Sequence, residues 1–176
     1  YDLLVLKLTN SAVAGPKPVL LVTGAIHARE YTTAEAALRF AEWIVGSYGL
    51  DADATWVLDH HEIHIVLHAN PDGRKVAEGG NLWRKNRHND SCGTSFGVDL
   101  NRNYPYAWGG QGADTNCDSE VYRGTGPASE PEVQAIENFV SAHKFVVTFS
   151  THTYTDILLR PFGYQVADPA NVADYN

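Results

Sequence analysis

Residues 26–35 read IHAREYTTAE and residues 150–154 read STHTY. The first stretch holds His27 and Glu30, three positions apart, and the second holds His152. Two imidazoles and one carboxylate, with a fourth position left open, form a donor set suited to a catalytic zinc ion. Cobalt or manganese would fit the same donors. The H-x-x-E spacing is common, and the same residues would also suit the polar entrance of a helix. The metal reading gains from a shared address. VLLVTGAI (19–26) runs into the first cluster and FVVTFS (145–150) into the second. Both runs read as buried strands, and in open α/β sheets ligands collect beyond the carboxyl ends of strands. His60, His64 and His68 form a competing set. On a strand their successive members stand about 13 Å apart at ~3.3 Å per residue, too far for one ion, so they read as a polar strand face.

The elements that must position these groups follow from periodicity. Residues 2–9 read as a strand and AGPKP (14–18) as a turn. Thr32 and Glu35 have the spacing of a capping box, and Ala34, Ala37, Leu38, Ala41, Ile44 and Val45 follow at helical spacing, with fraying expected at Gly46–Gly49. Residues 61–69 alternate, with Ile63, Ile65 and Leu67 on one side and Glu62, His64 and His68 on the other, and NPDG (70–73) reads as the turn that ends this strand. Residues 74–128 form a long, mostly irregular stretch whose aromatic residues favour an ordered functional loop. Ser129 and Glu132 suggest a second capping box, with Pro131 in the first turn of another helix. Strands alternating with helices predict an α/β fold, a mixed and mostly parallel sheet flanked by helices.

Composition sets the outer bounds. The 176 residues suffice for one core, the net charge is -8, and no apolar run is long enough to span a membrane. An acidic balance argues against nucleic acid as a partner. Six of the 13 basic residues (Arg74, Lys75, Arg84, Lys85, Arg87 and Arg102) crowd into residues 74–102, which suggests either a solvated loop or a pocket for an anionic group. Cys92 and Cys117 lie in loop-like sequence. They are either two free thiols or a disulfide, and a disulfide would favour a secreted, periplasmic or extracellular location.

GAIHARE, NPDG, WRKNR, GVDLNRNY, SEVYRG, SEPEV and STHTYTDILLRPFGY occur in that order along essentially the whole chain. In this series the sequence resembles the zinc carboxypeptidases of the carboxypeptidase A type (peptidase family M14). The resemblance implies that residues 1–176 are part of such a catalytic domain, holding one zinc ion and acting on a peptide or protein C-terminus. It implies His27, Glu30 and His152 as zinc ligands and Asp99 as the carboxylate that hydrogen-bonds the first histidine. Arg84 would polarise the scissile carbonyl, and Asn101 and Arg102 would grip the substrate's terminal carboxylate. Arg29, Thr153 and Tyr154 would line the subsites of the preceding residues. Arg87 reads as structural and Lys85 as solvated. Non-proline cis peptides are implied at Thr153–Tyr154 and Pro161–Phe162.

The sequence departs from the family's pattern in one respect. The family's general base is a glutamate well past the third ligand, but after His152 this sequence carries only the carboxylates Asp156, Asp168 and Asp174. The capping tyrosine and the residue that selects the last side chain also belong to that later part. The chain therefore reads as an N-terminal to central fragment, truncated on its C-terminal side. Two other readings stay open. One is a non-catalytic zinc- and carboxylate-binding paralogue. The other is a zinc amidohydrolase acting on acyl-amino acids or cell-wall peptides.

Overall fold

The structure is a computed structural model that describes residues 1–89 and 91–175. Four strands, β1 (Val5–Leu8), β2 (Val19–Thr23), β3 (Glu62–Val66) and β4 (Phe145–Ser150), form one sheet in the order β1-β3-β2-β4. β1 runs antiparallel to β3, while β2 lies parallel to both β3 and β4. This is the mixed, mostly parallel sheet that the sequence pattern predicts. The helices are α1 (Tyr31–Gly46), α2 (Ala52–His60), α3 (Pro71–Ala77) and α4 (Pro131–Ala142).

Alternation along the strands builds two cores. Val22, Ile63 and Ile65 pack against Ala37, Ala41 and Ile44 of α1 and Ala54 and Leu58 of α2. On the opposite face Leu21 and Val66 meet Val133 and Ile136 of α4, together with Leu100. Period-2 side chains on the strands and a period-3.6 stripe on each helix are what let one sheet bury both of its faces. β4 is different: Val146, Val147 and Phe149 are exposed at 65, 45 and 49%.

Tertiary context overrides several local expectations. α1 starts at Tyr31 with Glu30 as its N-cap and no side-chain cap bond, so the Thr32–Glu35 capping box does not form. Glu35 pairs instead with Arg39 at 2.9 Å. The entrance is tied by Thr33, whose hydroxyl donates to Glu30 O at 2.7 Å and accepts from Ala25 N at 2.8 Å. The Ser129–Glu132 box is likewise absent. Glu130 is the N-cap of α4, Ser129 Oγ donates to its Oε1, and Glu132 accepts from Asn86 Nδ2. Pro131 does occupy the first turn.

α2 is an element that the side-chain periodicity does not predict. Its signal was Asp51, whose carboxylate accepts from Ala54 N at 2.9 Å as an N-cap. His60 therefore ends a helix and is not part of a strand. The polar strand face is also corrected. His64 is 3% exposed, sits against the rings of Phe139, His143 and Phe145, and contacts Glu62 Oε1 through Nε2 at 2.6 Å. α4 covers that face.

NPDG opens α3 rather than closing a turn. Asn70 Oδ1 accepts from Gly73 N at 3.0 Å, while Asn70 Nδ2 donates to Ile26 O at 3.1 Å and Lys85 O at 3.0 Å. Residue 73 has to be glycine, because a Cβ there would run into Lys85 O and the Asn70 amide. Among the described residues no helix is long and apolar enough to cross a membrane.

Candidate metal centre

β2 ends at Thr23, and the chain crosses the sheet edge through Gly24 and Ala25 before α1 begins. Gly24 N donates to Val66 O and Ala69 N donates to Gly24 O, so the ends of β2 and β3 are locked together. Ala28 N donates to Arg84 O at 3.0 Å, which fastens the HARE corner to WRKNR. β4 lies beside β2 and delivers His152 to the same end of the sheet, where Thr151 N donates to Thr23 O. Parallel pairing of β2 and β4 is thus what joins two clusters 122 positions apart in sequence.

His27 Nδ1 lies 2.8 Å from Glu30 Oε1, and His152 Nδ1 lies 3.2 Å from Glu30 Oε2. The two Nδ1 atoms are themselves 3.2 Å apart. Thr153 N also donates to Glu30 Oε2, at 3.2 Å. Among the described residues these three side chains form the one group of histidines, cysteines and carboxylates that converges closely enough to hold a metal ion. His27 Nε2 faces Asp99 Oδ1 at 3.2 Å, and Asp99 is fully buried. The other oxygen of Asp99 accepts from Arg84 Nε at 3.1 Å and Nη2 at 2.8 Å.

The electrostatics of this cluster call for positive charge. Burial opposes ionisation of Glu30, but hydrogen bonds and charge from His152 and His27 outweigh it and hold the carboxyl at about 2. Burial likewise opposes charge on His27, and Asp99 and Glu30 overcome it, raising His27 above the ordinary histidine value. Burial would raise Asp99, yet His27 and Arg84 keep it below the usual carboxylate range. His27 Nε2 is buried 3.2 Å from Asp99 Oδ1 without hydrogen-bond geometry, and a His27 ring protonated on that side turns an Nδ1 lone pair towards an anionic Glu30 oxygen. That contact is repulsive unless a cation, either a proton or a metal ion, stands between them. The spacing suits a metal: two tetrahedral ligands at ~2.0–2.1 Å lie about 3.3 Å apart.

The other expected residues are placed as follows. Asn101 N caps onto Asp99 Oδ1 at 3.0 Å. Arg102 donates through Nε to Gly112 O at 2.8 Å and through Nη1 to Asn101 O at 2.9 Å. Both residues line a cavity of about 390 Å³ with Tyr104, Trp108, Leu159 and Tyr164. A larger groove beside Trp56 and His60, about 460 Å³, shares no residue with the cluster. Arg29 donates through Nη1 to Leu82 O at 3.1 Å and Glu120 Oε2 at 3.0 Å. Tyr154 is 99% exposed and does not join the cluster. Thr153–Tyr154 and Pro161–Phe162 are both cis.

Two buried features differ from what the local sequence predicts. Lys85 is not solvated: it is 1% exposed, its Nζ donates to Cys117 O at 2.7 Å, and it faces the Tyr122 ring. Cys117 is bonded to Cys92, with a Cα–Cα distance of 5.7 Å, so the lysine braces the disulfide loop from inside. Asn70, fully buried, is the second: it bridges the backbones of Ile26 and Lys85 behind the site. Its signal lay in N-P-D-G itself, which can cap a helix as readily as it forms a turn.

The model of the zinc carboxypeptidase family matches residues 1–176. Pig carboxypeptidase A1 is 39% identical over 157 residues, covering 88% of this chain and 38% of the relative. Human carboxypeptidase A5 is 40% identical over 164 residues, covering 92% of this chain and 37% of the relative. The crystal structure of thrombin activatable fibrinolysis inhibitor superposes with a TM-score of 0.92 at 31% identity, covering 99% of this chain and 44% of that one. Carboxypeptidase A from Helicoverpa armigera gives a TM-score of 0.84 at 27% identity, over 97% of this chain and 42% of that one. The chain thus spans well under half the length of these curated relatives. Matched by the family model over residues 1–176, and 39–40% identical to curated carboxypeptidases A over about nine-tenths of its length, the chain belongs to the zinc carboxypeptidase family.

Proposed function

We propose that the protein is a zinc metallocarboxypeptidase that binds one zinc ion through His27, Glu30 and His152 and removes the C-terminal residue of peptides or proteins. The observation that carries this reading is the 3.2 Å approach of the two Nδ1 atoms over one carboxylate. A bound zinc ion supplies Lewis-acid chemistry and a water of lowered pKa. The remaining tasks fall to side chains.

Asp99, 3.2 Å from Nε2 of His27, is assigned to orient that ring so that Nδ1 is directed at the metal position. Its second oxygen fixes Arg84, assigned here to polarise the scissile carbonyl and stabilise the charge that develops on it. Asn101 and Arg102 are assigned to the terminal carboxylate, for which a guanidinium fork is well shaped. Arg29, Thr153 and Tyr154 are assigned to the preceding substrate residues. The Tyr154 ring stands in solvent, so a bound peptide has to bring it in. The Cys92–Cys117 disulfide supports a secreted, periplasmic or extracellular location.

The test is binding of zinc and peptide to the protein. Zinc competition titration should give one ion per chain, and replacement of His27, Glu30 or His152 by alanine should abolish it. The zinc-loaded protein should bind a short peptide with a free C-terminus and not the same peptide amidated. Equal binding of the two peptides would sink the reading of Asn101 and Arg102 as a carboxylate clamp.

A further inference from the structure

Arg29 sits between two of the candidate ligands in HARE, and its partner is Glu120, 91 positions away. Glu120 is 55% exposed and Arg29 34% exposed. Such an exposed pair contributes little to stability. The backbone that carries Glu120 is nonetheless restrained on both sides. Three residues before it, Cys117 is bonded to Cys92, and Lys85 Nζ holds the Cys117 carbonyl. Two residues after it, Tyr122 bridges to Asp114, and its carbonyl accepts from Asp99 N at 2.9 Å. Asp99 in turn contacts His27. The backbone at Glu120 is therefore restrained, and its carboxylate meets Arg29, the residue next to Glu30.

That place has two consequences. Glu120 and Leu82 O both take Nη1 of Arg29, and among the described residues Nε and Nη2 have no protein acceptor. Glu120 also adds a negative charge where Arg29 would otherwise present a bare positive one. We propose that Glu120 is a specificity-determining residue, one that disfavours acidic and favours basic residues just upstream of the scissile bond. This rests on the carboxypeptidase reading above, in which Arg29 faces that part of the substrate.

The experiment measures binding of three blocked peptides to the zinc-loaded protein at low ionic strength. The peptides end in the same free C-terminal residue and carry Lys, Gln or Glu at the upstream position. Between wild type and E120Q the Lys-to-Glu binding ratio should fall about sevenfold, because the two peptides differ by two unit charges and each gives about a threefold factor at roughly 7 Å under solvent-like screening. E120Q, which keeps the side chain's shape, leaves the Arg29 charge bare and should make the Glu peptide the tighter binder. R29Q should weaken all three peptides yet widen the ratio, because Glu120 is then unneutralised. If the Gln peptide binds and the ratio is the same in wild type and E120Q, the inference falls and the carboxypeptidase reading stands. If the Gln peptide does not bind at all, both fall.

Discussion

The Nδ1 atoms of His27 and His152 lie 3.2 Å apart, each in contact with a different oxygen of Glu30. Protons can bridge these atoms pairwise, and a single metal ion can bridge all of them, with a donor set that suits zinc. A cation shared by all three satisfies them at once, and Asp99 behind His27 adds a further negative charge.

Asp99 serves two masters, His27 through Oδ1 and Arg84 through Oδ2. Asp99→Asn removes the charge while keeping the shape. Zinc affinity should fall 10- to 100-fold, the usual cost of losing a ligand's outer partner. Competition with a chromophoric chelator measures this, and an unchanged affinity would show that the Nε2 contact does not tune the metal.

Asn70 ties the strand leading to HARE to the segment carrying Arg84. Asn70→Ala would leave Gly73 N, Ile26 O and Lys85 O without this partner in a buried place. A loss of about 3 kcal/mol is expected, since each buried unsatisfied group costs about 1–3 kcal/mol and the site relaxes in part. Urea unfolding should show a lower midpoint, and a variant within 0.5 kcal/mol of wild type, roughly the noise of neutral surface changes, would contradict the bridging role.

Glu132 is raised above the ordinary glutamate value, first by burial and then by the neighbouring Glu130 and Asp72, against a hydrogen bond from Asn86. The folded state thus binds this proton more tightly than the unfolded state does. Its contribution to stability is complete below the ordinary glutamate pKa and declines as pH rises through the raised one. Glu132→Gln should therefore be more stable than wild type at pH 7, with the advantage vanishing towards pH 4. Thermal melts at the two pH values check the sign, and an advantage that grew on acidification would reverse it.

β4 pairs with β2 on one side, and its apolar residues Val146, Val147 and Phe149 are exposed. An exposed apolar edge strand templates association. The 176-residue chain should self-associate in light scattering at micromolar concentration, and Val146→Lys should shift it towards monomer. A stable wild-type monomer would count against this.

Much of the site was legible because its chemistry is local. His27, Arg29 and Glu30 are consecutive or nearly so, and GVDLNRNY carries Asp99, Asn101 and Arg102 within four positions. The strands β2, β3 and β4 follow from runs of β-branched and apolar residues. What stayed hidden was set by distant partners. Thr32 and Glu35 have the spacing of a cap, but Glu30 is drawn to the histidines and the helix starts around it. Lys85 looks like a surface lysine until the Cys117 carbonyl and the Tyr122 ring enclose it.

By itself, then, the sequence determined the donor types, their order and the strands that deliver them, because residue chemistry and side-chain period are properties of short segments. Only the tertiary structure decided that β2 and β4 lie side by side, that Asp99 stands between His27 and Arg84, that Asn70 and Lys85 brace the site, and that Glu120 meets Arg29. Those are pairings of groups far apart in the chain, which exist only once folding brings their segments together and, for the buried ones, removes the water that would otherwise satisfy them.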